Sequence, residues 1–466
     1  MIFYAAYISL VNRHLERKLL TLAGSFIFYA WWDYRFLLLI AASIAFNYYI
    51  ASASRSERAK QKRKTLLTGA IILNLLLLGV FKYFNFFIES FANLLSLFFG
   101  EISTGALNII LPVGISFFTF QAMSYVIDSY RGEIAEEPTL LEFAVYISLF
   151  PQLVAGPIVR ASSLLPQIQS NNVNITREDI ISGFNMIVWG LFLKVALAEN
   201  AAPIADRYFS NIGNASFLDA WLGVFAFAMQ IYGDFAGYSL MAIGLGRWLG
   251  FDFGINFRRP YFATSFSDFW RRWHISLSSW LRDYLYIALG GNRQGNIKTY
   301  VNLFLTMLLG GLWHGASWNF VIWGALHGAY LVIERYFNIP NKIGSINGPI
   351  LRKLNTALYC ILVFLFVCIA WVFFRADTLQ NSLSAINQMF NISGISSMSL
   401  SQPFQELILF AICFVVVLAK DSISEIYGAK VLPGYIIYQT TFIVLALFIL
   451  IVLGDFNGAA FIYFQF

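Results

Sequence analysis

Apolar residues in this chain gather into long blocks separated by short polar breaks. Blocks at 65–80, 107–126, 180–198, 300–312, 357–374, 407–419 and 436–453 approach the ~20 apolar residues that carry a helix across a bilayer. With the weaker blocks included, the pattern predicts an all-α polytopic membrane protein of roughly 10–12 transmembrane or re-entrant helices. Two blocks, 86–99 and the glycine-rich 231–249, are short or interrupted. A helix broken at membrane depth persists only where it is buried in protein or lines a wet cavity. The expectation is therefore a chamber enclosed by helices rather than a plain bundle.

The polar breaks fall at 131–138, 169–179, 251–298, 338–352 and 377–401. The fourth reads as a connecting loop and the fifth as a partly structured exposed one. No 20–50-residue repeat and no low-complexity linker interrupts the series, so residues 1–466 are read as a single membrane domain.

The third break contains "SFSDFWRRWHISLSSWLRDYLYIALGGNR". Phe266, Phe269, Trp270, Trp273, Leu277, Trp280, Leu281, Tyr284 and Leu285 recur at helical spacing over more than five turns, which predicts an amphipathic interfacial helix near 266–286. Ser267 or Asp268 could cap its start, and Gly290 and Gly291 follow its end. The opposite face carries Asp268, Arg271, Arg272, Ser279, Arg282 and Asp283. That face suits two roles. It could meet lipid headgroups, or it could hold a phosphate-bearing ligand, since 251–298 has seven basic residues against three acidic. His274 projects from the boundary between the faces.

Composition agrees with the block pattern. Of 466 residues, 59% are hydrophobic and only 12% charged, about half the charge of an ordinary soluble domain. The net charge of +6 lies largely in topological clusters. "RSERAKQKRK" (55–64) and "RHLERK" (13–18) mark cytoplasmic loops by the positive-inside rule, and no nucleic-acid partner is needed to explain them. Apolar 2–10 precedes the basic cluster, the reverse of a signal peptide. Cys360, Cys368 and Cys413 lie in apolar runs with no metal or redox spacing, and read as small buried hydrophobes.

The candidate chemistry rests on histidine. Of four, His14 sits in the basic cluster as a solvated residue, while His274, His314 and His327 fall close together along the chain. Ionisable groups inside a membrane are costly and mark function by default. On one continuous helix, His314 and His327 would lie about 20 Å apart along the axis and roughly 140° around it, so they share no metal unless the chain folds back. No HExxH or clustered Cys/His motif occurs, and no metal is expected. Each histidine could be structural, hydrogen-bonded across helices. His327, between Leu326 and Gly328, fits that role as well as an active one. His314 has glycines at 310, 311 and 315, with Trp313 and Trp318 able to wall a cavity. An imidazole there could serve as general base. With neither GxSxG nor P-loop present, the chemistry left to it is direct attack by an acceptor hydroxyl on an activated acyl group.

"GLWHGASW" (311–318), "DFWRRWHISLSSWLRDYLYIALGGNR" (268–293) and "FPQLVAGPIVR" (150–160) resemble the membrane-bound O-acyltransferase (MBOAT) family, most closely its bacterial alginate O-acetyltransferase branch. The similarity runs from "SFIFYAWWDYR" (25–35) to "FIYFQF" (461–466), although the first apolar segment is shorter than in relatives. The resemblance implies helices around a central tunnel in the bacterial inner membrane. It implies a cytoplasmic thioester donor, acetyl-CoA or an acyl carrier, used as substrate with no bound cofactor. The acceptor is an exported polysaccharide, reached with or through a periplasmic or extracytoplasmic partner. His314, after the Trp of the WHG motif, becomes the catalytic histidine and His274 the second; Trp313, Arg271, Arg272, Arg282, Asp268 and Arg160 become substrate-binding candidates. Two alternatives stand beside this reading: D-alanyl transfer to teichoic acid within the same family, and a transporter or flippase without chemistry, for which inverted repeats would be expected.

Overall fold

A computed structural model of the chain describes residues 2–55, 61–100, 102, 105, 107, 109–154, 156–171, 173–392, 402–427 and 435–454. Part of the basic run 55–64, part of the loop 377–401 and the terminal "FIYFQF" lie outside these residues. Every regular element among the described residues is helical. The chain groups into two compact units, residues 1–184 with 242–254, and residues 185–241 with 255–466.

Five helical stretches among the described residues are long and apolar enough to cross a bilayer: His14–Arg55, Arg63–Phe99, Arg177–Ser210, Pro349–Arg375 and Phe404–Glu425. The larger number expected from the sequence counts short and interrupted helices as well. The chain is a polytopic, all-α membrane protein.

The first unit holds α1 (Ile2–Ser9), α2 (His14–Asp33), α3 (Leu37–Arg55), α4 (Arg63–Leu78), α5 (Phe84–Phe99), α6 (Ile115–Arg131), α7 (Leu140–Ser148), α8 (Phe150–Leu153) and α9 (Ala161–Gln169). Asn47 and Asn74 exchange side-chain hydrogen bonds of 2.7 and 3.3 Å between α3 and α4, satisfying two amides that hydrocarbon would leave unpaired. Thr139 and Glu142 form a capping box that starts α7. The free carboxylate oxygen of Glu142 accepts from Lys18 at 2.6 Å. Arg17 is buried and donates to the carbonyls of Val11 and Ser170. Two members of the 13–18 basic cluster thus anchor the fold as well as marking topology. His14 opens α2 half-buried rather than solvated.

Two of the three boundaries between units fall within α10 (Arg177–Leu191) and α12 (Phe217–Trp248), and the third in the segment after α12. The second unit contains α11 (Glu199–Ser210), α13 (Phe266–Arg272), α14 (Ile275–Trp280), α15 (Asn296–His314), α16 (Trp318–Phe337), α17 (Ile339–Gly344), α18 (Pro349–Arg375), α19 (Leu379–Phe390), α20 (Phe404–Tyr427) and α21 (Tyr435–Leu453). A π-helical stretch at Phe192–Ala198 widens the chain between α10 and α11. It turns Lys194 onto two buried carboxylates, Glu199 at 2.5 Å and Asp234 of α12 at 2.7 Å.

Candidate active site

The site is assembled in the second unit around the hairpin of α15 and α16. α15 ends at His314, the chain passes through Gly315 in an extended conformation, and α16 begins after Ser317. The arms meet at glycines. A methyl on Gly311 would lie 2.3 Å from the Phe320 carbonyl oxygen, and one on Gly324 2.5 Å from that of Met307. Side chains there would force the arms apart.

Because the chain folds back, His314 and His327 do not lie on one helix. They stand on opposite arms with Trp323 between them, its ring centre 4.9 Å from that of His314 and 4.7 Å from that of His327. His314 is 3% exposed, edge-on to Trp313 at 5.0 Å and to Phe374 of α18 at 5.4 Å. Trp313 is buried against it, whereas Trp318 is 57% exposed. His327, fully buried, is boxed by Phe269, Trp270, Trp323 and Tyr330.

The predicted helix over 266–286 is helical and amphipathic but comes in three pieces. Phe266, Phe269, Trp270, Trp273, Leu277, Trp280, Leu281 and Tyr284 are all buried, so the periodicity located the inner face correctly. Continuity fails at Trp273 and His274. Trp273 is extended, and His274 adopts the left-handed conformation with φ 43°, before α14 and a π-helical turn at Leu281–Tyr286. The competing partner is the preceding segment. The Asn256 carbonyl accepts from Ile275 N at 2.9 Å and its side-chain oxygen from Ser276 N at 3.1 Å, while Arg258 N donates to the Arg272 carbonyl. These bonds replace helical ones. The cap also lies two residues before Ser267, the earlier of the expected caps: Ser265 accepts from Asp268 N at 2.9 Å.

The break aims His274 inward. Its ring is wholly buried, 4.6 Å from Phe235, 6.0 Å from Trp313 and 6.5 Å from His314. Burial pushes its pKa down to about 3, so at neutral pH it is an uncharged imidazole able both to donate and to accept a hydrogen bond.

The remaining candidates divide. Arg272 donates to both oxygens of Glu425 at 3.0 Å and to Asp268 at 2.9 Å, and Arg259 joins the same Glu425 at 3.0 Å. Arg282 pairs with its neighbour Asp283 at 2.6 Å. Asp268 accepts from Thr264 N as well as from Arg272. These three predicted ligand contacts are engaged in protein ion pairs. Arg271 is exposed. Arg160 belongs to the first unit, at the N-cap of α9. Among the described residues no group of three or more His, Cys, Asp or Glu side chains could hold a metal ion. The cysteines are free thiols, Cys368 and Cys413 buried.

Two contributors escaped the sequence reading. Glu334, seven residues along α16 from His327, is 4% exposed and accepts from Phe266 N at 2.6 Å, Ser267 N at 3.1 Å and the Tyr359 hydroxyl at 2.9 Å. It ties the start of α13 to α16. A lone acid near the end of an apolar helix was the available signal. Asn256, in "FGINF", carried no local signal at all.

Comparison with known proteins gives this geometry a context. The profile of the membrane-bound O-acyltransferase family matches residues 132–338, a span that includes all three buried histidines. The chain is 45% identical to a probable alginate O-acetylase of Pseudomonas aeruginosa over 80% of its own length and 70% of the relative's. A probable alginate O-acetylase of Azotobacter vinelandii is 42% identical over 88% and 81% of the two chains. A peptidoglycan O-acetyltransferase of Helicobacter pylori is 37% identical over 84% and 76%.

Proposed function

Since the chain belongs to the membrane-bound O-acyltransferase family, we propose that it transfers an acetyl group from a cytoplasmic thioester, acetyl-CoA or an acyl carrier, to a hydroxyl of an exported polysaccharide or of a relay partner. It would act from the bacterial inner membrane, along a tunnel that brings donor and acceptor to the histidines. The observation that supports this reading is the meeting of His274 and His314, from separate elements, in one aromatic-walled interior.

The step balances without a covalent enzyme intermediate. A neutral His314 nitrogen takes the proton of the acceptor hydroxyl as that oxygen attacks the thioester carbonyl. A C–O bond forms, the C–S bond breaks, and the imidazolium returns the proton to the departing thiolate. His274, uncharged, hydrogen-bonds the reacting oxygen or sulfur. Trp313 lines the approach. Arg271 is the arginine of its segment best placed to meet donor phosphates, because Arg272 and Arg282 already face carboxylates.

The test is His314→Ala, followed by mass spectrometry of the surface polysaccharide. Acetylation should vanish while the protein accumulates in the membrane at its usual level. Retained acetylation would overturn the assignment of the base. Abolished transport of an intact polymer, with no change in its acetyl content, would instead favour a flippase.

A further inference from the structure

His274 is held in the left-handed region, an uncommon place for any non-glycine residue. A non-glycine residue in that region is strained and persists where the surroundings over-determine it. Those surroundings converge on one side chain. Asn256 is 1% exposed, and besides its carbonyl bond to Ile275 N it makes three side-chain bonds. Its Oδ1 accepts from Ser276 N at 3.1 Å and from Ser276 Oγ at 2.9 Å, and its Nδ2 donates to Ser239 Oγ of α12 at 3.0 Å. Ser239 is itself 1% exposed. The next residue, Phe257, packs edge-on against the His274 ring at 6.3 Å and against Trp273 at 5.0 Å. The two residues after His274 are therefore pinned through Asn256 to a rigid helix.

We propose that Asn256 is a positioning residue: bridging Ser239 and Ser276, it locks the turn at His274 and so fixes the direction in which that imidazole faces His314. The inference rests on the acyl-transfer reading above. Asn256 touches no reacting atom; it acts through His274. The chemistry asks for this because a general acid–base group misplaced by about 1 Å loses on the order of a hundredfold in rate.

The experiment follows the rate of labelled acetyl incorporation into exported polymer in cells making the full-length protein, divided by the amount of folded protein in the membrane. Asn256→Ala removes all three side-chain bonds and should lower that rate about 10–100-fold. Asn256→Asp keeps the acceptor for Ser276 and can accept from Ser239, and should recover to within about threefold. In a His274→Asn background, adding Asn256→Ala should cost less than about a further twofold, because the positioned group is already gone. If the two effects multiply, or if Asn256→Ala keeps its rate per folded molecule, Asn256 is structural and the proposal fails. Should Asn256→Ala not accumulate, Ser276→Ala carries the test: an unchanged rate overturns the proposal, and a loss of about 3–10-fold supports it. Activity of His314→Ala measured alongside separates the outcomes, since its survival would sink the acyl-transfer reading, whereas wild-type rates in the Asn256 series would sink only the positioning role.

Discussion

The imidazole rings of His274 and His314 lie 6.5 Å apart at 71°, although one belongs to a kinked segment between two short helices and the other ends a long one. On the acyl-transfer reading both act on one reaction. Removing either imidazole should cost about 10²–10⁴ in acetylation rate, and removing both little more than the worse single change, because groups acting on one transition state are not additive. Rates of His274→Asn, His314→Ala and the double variant provide the check; independent, multiplying losses would separate the two histidines functionally.

Glu334 makes a stability prediction of its own. Glu334→Ala leaves the Phe266 and Ser267 amides and the Tyr359 hydroxyl without their acceptor, each such loss costing about 1–3 kcal/mol when buried. Glu334→Gln keeps one acceptor oxygen and should recover part of it. Thermal denaturation in detergent should rank wild type above Gln and Gln above Ala; equal midpoints would mean that α13 is held elsewhere.

Lys194 is the cation facing the buried Glu199 and Asp234. Lys194→Met removes the cation from this cluster, a change worth about 3–5 kcal/mol when one partner of a buried ion pair is lost. The variant should accumulate poorly. Lys194→Met with Glu199→Gln and Asp234→Asn should recover much of the loss, readable as membrane-inserted protein on a fluorescence size-exclusion trace.

His274 also predicts an acid sensitivity. Burial lowers its folded pKa to about 3, against an ordinary value near 6.5 when unfolded. The unfolded chain therefore binds the extra proton first. The contribution is fully present above about pH 6.5 and is lost as pH falls from there toward 3. His274→Asn, a residue that tolerates the left-handed region, should flatten the fall in detergent stability over that window. Parallel wild-type and variant curves would show that His274 is not the group responsible.

Much of this molecule was legible because membrane burial writes itself into apolar blocks, and because helical periodicity over 266–286 follows the face that is buried whether or not the helix is continuous. His314 stood out by its glycine and tryptophan neighbours. The break at His274 was invisible, since its cause is Asn256, eighteen positions upstream and outside the periodic segment. The partners of the arginines were hidden for a related reason. Their face looked electropositive in one dimension, yet Glu425, more than 150 residues along the chain, neutralises Arg272 and Arg259. Long-range partners of polar residues leave no trace in local spacing.

The glycine contact between α15 and α16 has a mechanical consequence. With Gly311 and Gly324 too close to admit a methyl, the two arms keep one short spacing, which sets His314 on one arm against Trp323 and His327 on the other. α13, tied to α16 through Glu334, takes its bearing from the same hairpin. A side chain at either glycine would therefore displace His314 relative to α16 and to whatever α16 holds, even with every histidine intact.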